Sequence, residues 1–466
     1  MVVMFKLKSR PIISLLIIWL VIALGVFLRA FRADQYPIDN NDDGLFYVWA
    51  GNSFWDNPLE VTSHSIFEAG NQALEFRAQF MDYIPIERFG MKIVQPWFDH
   101  PPLGTAMIAL PARLLGFKGL IQVPHLIVRL PALVASILTL LFTYLLALKI
   151  FNKRVAFFSL LFLATVPYFV VAHRQSFIEN LLTPVFLGGI LATIEYLRTK
   201  QNKWLYLSIV ISFLTGWFKI TGMVIPFLIA GFLFINKERL AGWKLVLTGI
   251  LSSLSYLVYG LVANKQAFLF TLLNQGGRGA FVSSLFDGIS KPEFYGVFSD
   301  GWYLLGFIAS FGLLMNKKNK TFSWFFTGWL IILWLTAGRM ANSPWYRYPL
   351  IPFMSMGIGY YVSKLWKKPS LFLSIPFLMI GLTGIDLIGI EIPATWVRLA
   401  SLIFFSPLIL ELMIKNSRLR TLNNLWVKIL VIGLVVINVV ASIGFYSNMC
   451  TQKRCLAPEK IILQDD

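Results

Sequence analysis

The sequence predicts an all-α, polytopic membrane protein with about thirteen transmembrane helices. Three observations carry that reading. Of the 466 residues 57% are hydrophobic, only 14% are charged, and apolar runs recur along the chain. Soluble domains carry about 25% charged residues, so an ordinary soluble enzyme is excluded. A disordered chain is excluded too, because it needs low hydrophobicity. A soluble chain of this length would divide into about three domains. Repeated runs of about twenty apolar residues make one membrane body instead. We therefore expect a single transmembrane domain over residues 1–466 and no soluble domain.

The formal net charge of +18 has the sign of a nucleic-acid binder, but its distribution does not fit one. Lys and Arg fall in short clusters between apolar runs, as in cytoplasmic loops. Nucleic acid is therefore not an expected partner. Four His and two Cys are too few for a Cys/His zinc cluster or a haem array. Cys450 and Cys455 lie together near the C-terminus. A small disulfide and two free thiols fit them equally well.

The first apolar run, 11–30, follows Lys6, Lys8 and Arg10. A signal peptide opens in the same way, but this run is too long and no good small-residue cleavage site follows. It is read as an uncleaved span. Further spans are expected at 126–148, 155–172, 181–197, 204–218, 222–235, 244–262, 301–315, 322–337, 349–362, 371–390, 396–414 and 425–445. Residues 102–117 are apolar but short, and Pro111 and Arg113 interrupt them.

Charge settles that segment. With it left out and the N-terminus inside, the inner loops collect the basic clusters. These are Lys149/Lys153/Arg154, Arg198/Lys200/Lys203, Lys237/Arg239/Lys244, Lys317/Lys318/Lys320, Lys364/Lys367/Lys368 and Lys415/Arg418/Arg420/Lys428. The short outer loops keep Arg174, Lys219, Arg339, Arg347 and Arg398. Counting 102–117 as a span would put most clusters outside, against the positive-inside rule. It is therefore read as a juxtamembrane helix in the interface. Of the 23 acids, only Glu195, Glu238 and Glu411 then lie inside. The two long outer loops, 31–124 and 263–300, are expected to be functional. The expected location is the plasma membrane of a prokaryote, with the N-terminus cytoplasmic and the C-terminus outside.

Four constellations carry candidate chemistry. The first is Asp39-Asn40-Asn41-Asp42-Asp43-Gly44. It starts like a calcium loop, but Ala50 stands where a bidentate Glu is required. The aromatic residues after Gly44 suit an interfacial helix, with Asp42 and Asp43 at its start. One Asp suffices to cap it; a carboxylate at the membrane surface is also placed to take a proton from a hydroxyl. The second is Trp97-Phe98-Asp99-His100-Pro101-Pro102, a stiff elbow before a helix start, where anions are favoured. A structural turn with a surface His is the plainer reading. The third is residues 173–180, with Arg174 and Glu179 as a candidate ion pair. The fourth is cationic: Lys219, and Arg347 within Trp345-Tyr346-Arg347-Tyr348, mark outer ends of spans. Snorkelling to the interface and a functional role are both compatible with them. No Walker loop, GxSxG, HExxH or CxxC motif is present, so nucleotide-dependent chemistry has no visible site.

The order of these elements resembles the GT-C membrane glycosyltransferases. The branch it resembles is that of the dolichyl-phosphate-mannose–protein mannosyltransferases and lipid A aminoarabinose transferases. The resemblance runs over about residues 11–235, with a weaker echo at 345–352. In that family an acid pair opens the first outer loop, matched by Asp42-Asp43. A His-Pro-Pro stretch follows, matched by His100-Pro101-Pro102. An Arg and an acid five residues on are matched by Arg174 and Glu179, and an outer-loop Lys by Lys219. Glu179 stands where Asp is expected and Asp43 where Glu is more usual, and no soluble domain is expected after the last span.

The resemblance implies a GT-C fold and transfer of a sugar from a polyprenyl-phosphate carrier to an acceptor on the outer face. The acceptor would be a hydroxyl of a protein, lipid or glycan of the cell envelope. It implies Asp42 as general base, with Asp43 orienting the acceptor or a cation. His100, Lys219 and Arg347 would hold the donor phosphate; Arg174, Glu179 and Tyr346 would position the site. The length of the second long loop, independently of the resemblance, suggests a lid that includes Arg278 in its Gly-rich stretch. A single base opposite the leaving group implies inversion. The carboxylates Asp42 and Asp43 have the oxygen chemistry to hold Mg²⁺ or Mn²⁺, and side-chain cations alone are the other possibility. Two other classes compete with the transferase: a lipid-carrier flippase or transporter without transfer chemistry, and an assembly subunit. Transporters show paired repeats and broken helices near the midplane, and neither is evident here.

Overall fold

A computed structural model describes residues 11–35, 43–65, 92–117, 123–276, 289, 300–316, 319–336, 344–414 and 417–451. Each of the thirteen apolar runs folds as helix. In hydrocarbon no water satisfies backbone N–H and C=O groups, and a helix satisfies them within the segment. In chain order the helices are α1 (Pro11–Ala30), α2 (Asp43–Asp56), α3 (Pro102–Leu114), α4 (His125–Ile150), α5 (Lys153–Thr165), α6 (Pro167–Ala172), α7 (Ile178–Thr199) and α8 (Asn202–Phe218). There follow α9 (Ile225–Ile235), α10 (Arg239–Gly276), α11 (Gly301–Leu314), α12 (Lys320–Thr336), α13 (Ile351–Lys367), α14 (Leu371–Asp386), α15 (Ala394–Ile414) and α16 (Ser417–Thr451). Five of them, α4, α7, α10, α15 and α16, are long and apolar enough to cross a membrane; α1, α11, α12 and α14 are apolar but shorter. The chain is an integral membrane protein. A small antiparallel ribbon, β1 (Ser63–Ser65) on β2 (Lys92–Val94), interrupts the all-α pattern, with Ser63 opposite Val94.

One of the expected runs is broken, and one helix kinks beyond the end of its run, each for a local reason. Residues 155–172 divide at Val166, which is extended (φ −60°, ψ 123°) ahead of Pro167. Proline has no N–H to continue the ladder and starts α6 instead. Helix α10 kinks at Asn264 (φ −164°, ψ 102°), whose side-chain oxygen accepts from Ala267 N at 3.0 Å and restarts the helix. The first part of the 263–300 region is therefore helical as far as Gly276.

Helix α13 runs through the core: Ile351, Phe353, Met354, Met356 and Ile358 are fully buried. Two glycines let it approach its neighbours closely. A Cβ on Gly359 would lie 2.5 Å from Ser159 N of α5, and one on Gly357 2.9 Å from Ser310 N of α11. Lipid gives no hydrophobic drive between helices, so close packing of small residues has to supply the attraction. At the periphery, Leu399, Leu402, Ile403, Leu410 and Met413 of α15 are exposed. In water such a patch would aggregate; here lipid solvates it.

Side-chain contacts define two ends of the bundle. At one, Glu195 pairs with Lys149 and with Arg198 (2.8 Å), and Glu238 pairs with Lys200 and accepts from the Tyr196 hydroxyl at 3.0 Å. Among the described residues, this end carries the basic clusters at 149–154, 198–203 and 237–244. At the other, the ends of α1, α6 and α8 meet the starts of α4, α7 and α11. Arg174 Nε donates to Arg29 O at 3.0 Å, and Arg129 donates to Ala33 O at 2.6 Å. Helices α2 and α3 pack together at this second end. Trp55 Nε1 donates to Ala106 O at 3.0 Å, and Arg113 pairs with Asp56 at 2.7 Å. A Cβ on Gly51 would lie 2.1 Å from Thr105 O, so glycine is required at that crossing. Helix α3 has 13 residues. Its length of about 20 Å is less than the hydrocarbon thickness of about 30 Å.

Asp300 ties this end together. Its Oδ1 accepts from Tyr303 N at 3.2 Å, capping α11, and its Oδ2 accepts from Tyr168 N at 2.8 Å. Burial pushes its carboxyl up to about 7, against the opposing pull of the backbone donors Tyr168, Tyr303 and Trp302. Because the folded-state value is raised, the contribution of Asp300 to stability is complete below its unfolded value of about 4 and is lost as pH rises through about 7. We expect the melting temperature of the wild-type protein in detergent to fall between about pH 5 and about pH 8 more steeply than that of Asp300→Asn. Parallel melting curves across that range would contradict this.

Candidate functional site

The centre of the site is a buried ion pair between Lys219 and Glu179, both almost fully removed from solvent. Glu179 stands in the first turn of α7, and Lys219 directly follows α8. The chain turns sharply there. Lys219 is extended (φ −157°, ψ 150°) and opens a 3₁₀ turn, Ile220–Val224. Thr215 Oγ1 donates to Gly222 O at 2.8 Å, and a Cβ on Gly222 would lie 2.1 Å from Thr215 O. Only glycine fits that return. The Lys219 ammonium also lies 4.2 Å from the centre of the Tyr346 ring, within cation–π range. Glu179 Oε2 has no hydrogen-bond partner among the described residues.

The 3₁₀ segment Pro344–Leu350 connects this pair to the rest. Trp345 stacks on Phe177 at 4.9 Å and 13°, and Tyr346 faces Lys219. Arg347 donates to the Tyr303 hydroxyl at 2.7 Å, its guanidinium carbon 5.2 Å from that ring's centre. Tyr348 donates to Gln175 Oε1 at 2.8 Å. Tyr303 packs against Tyr168 at 4.8 Å. Four consecutive residues thus fix an ammonium, a guanidinium and the buried turn before α7. A cation in a low-dielectric pocket acts on an anion far more strongly than it would in water.

The expected Arg174–Glu179 pair does not form. Glu179 takes Lys219 instead, and Arg174 donates to the carbonyls of Arg29 and Phe31. The reason is geometric: Arg174 precedes α7 and reaches the C-terminal carbonyls of α1, whose orphan acceptors attract a cation. Arg29 acts in the same way on α5, donating to Leu163 O at 2.8 Å.

His100 lies at the same end. Its Nε2 is 3.3 Å from the Tyr47 hydroxyl, and its ring meets Tyr47 and Trp97 edge-on. The adjoining α3 start is pressed onto the ion-pair region: a Cβ on Gly104 would lie 2.6 Å from Ile178 and 3.0 Å from Phe218 O. Asp43 begins α2, one turn before Tyr47. Asp42, Arg278 and Cys455 lie outside the described residues, as do the side chains of Asp43 and Cys450. Among the described residues no group of three or more His, Cys, Asp or Glu side chains gathers.

Sequence reasoning missed Tyr303, Tyr168 and Asp300. An apolar cavity of about 680 Å³ begins at Val224, just after Lys219 in the chain, and runs between α9 and α12 past Leu228, Phe232 and Trp324 to Lys320.

Residues 99–260 match the profile of the family described as dolichyl-phosphate-mannose-protein mannosyltransferase. No curated protein matches the chain. Among solved structures, the chain resembles ArnT from Cupriavidus metallidurans bound to undecaprenyl phosphate. The identity is 14% and the TM-score 0.51, over 97% of this chain and 82% of that one. It resembles the apo form of the same protein at 13% identity and TM-score 0.51, over 93% and 77%. It also resembles the archaeal oligosaccharyltransferase AglB from Archaeoglobus fulgidus, in complex with an inhibitory peptide and a dolichol-phosphate. There the identity is 12% and the TM-score 0.50, over 93% of this chain and 56% of that one. The chain has the GT-C membrane glycosyltransferase fold, and over residues 99–260 it resembles the dolichyl-phosphate-mannose–protein mannosyltransferases.

Proposed function

We propose that the chain is an integral membrane glycosyltransferase. It moves a sugar from a polyprenyl-phosphate carrier to a hydroxyl of a protein, lipid or glycan acceptor, with inversion, on the extracytoplasmic face. The observation that carries this reading is that one buried turn brings two cations together: Lys219 lies over its Tyr346, and the next residue, Arg347, donates to Tyr303 of α11. The positive-inside rule supports the orientation, since the basic clusters at 149–154, 198–203 and 237–244 occupy the opposite end.

Breaking the sugar–phosphate bond leaves new charge on the lipid phosphate. Lys219 and Arg347, with His100 at the rim, stabilise it from fixed positions. The polyprenyl chain lies in the apolar cavity beginning at Val224. Asp42 takes the proton of the acceptor hydroxyl as it attacks the anomeric carbon from the face opposite the phosphate. Asp43 orients the acceptor. Glu179 and Tyr346 hold the Lys219 ammonium in place. Arg174 secures the end of α1, from which the chain leads toward Asp42. Arg278 belongs to a lid over the site.

Membranes carrying Asp42→Asn should lose about 10²–10⁴-fold in transfer from a radiolabelled polyprenyl-phosphate sugar, at equal protein level. Transfer at the wild-type rate would remove Asp42 from the base role. Transport of the labelled lipid by the unmutated protein, with no sugar transferred from any donor, would favour a flippase. Arg347→Gln should lower kcat by about 10²–10³-fold while the protein still folds; an effect confined to KM would place Arg347 in ground-state binding alone. Since Lys219 and Arg347 supply the positive charge in this reading, transfer should survive EDTA. Abolition by EDTA with recovery on Mg²⁺ or Mn²⁺ would instead make Asp42 and Asp43 metal ligands.

A further inference from the structure

A second groove lies toward the opposite end of the bundle, away from the cationic turn. It has a volume of about 800 Å³ and is formed by α4, α7 and α8, within the range of small-molecule sites, about 300–1,000 Å³. Its floor is the recessed face of α7, where Pro184, Gly188 and Ala192 carry little bulk. A Cβ on Gly188 would already lie 3.4 Å from Phe142 and 3.7 Å from Ile211. The walls are apolar, and Leu138, Leu207 and Leu214 present exposed surface along them. From Pro184 to Arg198 the groove follows α7 for about 21 Å, more than one leaflet of hydrocarbon, about 15 Å.

Its mouth is polar and cationic. Lys149, Arg198 and Lys203 stand there with one acid, Glu195. Glu195 is shared by Lys149 and Arg198, and Arg198 remains mostly exposed. Lys203 lies 5.5 Å from the Trp204 ring and has no acidic partner among the described residues. The rim therefore keeps an excess of positive charge above an apolar trough of acyl-chain length. A zwitterionic headgroup gains little from that excess. A phosphodiester with net negative charge gains a guanidinium fork and an ammonium.

We infer that this groove is a binding site for an anionic phospholipid, with its phosphate at Arg198 and Lys203 and its acyl chains along Gly188 and Phe142. The site is separate from the proposed donor groove between α9 and α12.

The test uses the purified full-length protein in nanodiscs or detergent, with lipid binding read by native mass spectrometry and melting temperature. The probes are phosphatidylglycerol, phosphatidylcholine and undecaprenyl phosphate. Phosphatidylglycerol is expected to bind and stabilise more than phosphatidylcholine. The double variant R198A/K203A should weaken phosphatidylglycerol binding about tenfold or more while leaving phosphatidylcholine binding unchanged. Gly188→Leu, which fills the trough but leaves the rim intact, should weaken it as well. Equal binding of the two phospholipids, or undiminished preference in R198A/K203A, would overturn the assignment. Loss of undecaprenyl phosphate binding in R198A/K203A with phosphatidylglycerol unaffected would overturn it in favour of the carrier lipid.

Discussion

The interaction on which the site depends is the buried pair of Lys219 and Glu179. Two charges taken out of water are costly unless each compensates the other. Neither can leave the pair without stranding its partner in a low-dielectric pocket. The pair therefore pins the end of α8 to the first turn of α7. It also sets the direction of the ammonium, which points at Tyr346. One carboxylate oxygen carries the interaction, while the other has no hydrogen-bond partner among the described residues. Such a pair adds little to stability over well-packed apolar residues; what it fixes is the position of the ammonium, over Tyr346.

Around it the chain solves a second problem, the helix end. Every helix leaves carbonyls unsatisfied at its C-terminus, and at this end of the bundle those carbonyls are buried. Arg29, Arg129 and Arg174 meet that need by donating to backbone oxygens at or beyond the ends of α5 and α1. Asp300 does the converse at two helix starts, accepting from Tyr168 N and Tyr303 N. The same network that satisfies the backbone holds the rings facing Lys219 and Arg347. Structural and candidate functional charges are thus built into one scaffold.

Much of the fold was legible along the chain. Hydropathy placed the apolar helices because lipid leaves an apolar segment little choice but to satisfy its own backbone. Residues 102–117 were read apart from the spans on loop charge, their length and Pro111 leaving them ambiguous. The grouping of Lys219 and Arg347 at one end followed from loop charge alone. The partners of those residues were not legible. Glu179 was read as the partner of Arg174, five positions away, whereas it is joined to Lys219 across 40 positions. Tyr303 was invisible as the partner of Arg347, because an isolated Tyr in an apolar run carries no signal.

The amino-acid order alone determined that the chain is helical, that it lives in lipid, and which end of the bundle is basic. These properties are local sums of hydropathy and charge over windows of about twenty residues. Only the tertiary structure decided that residues 345–348 would meet α8, α11 and the turn before α7 at once. Which helix ends adjoin depends on close packing at positions such as Gly357, Gly359 and Gly104. An ion pair or hydrogen bond forms only between groups that this packing brings within about 3 Å of each other.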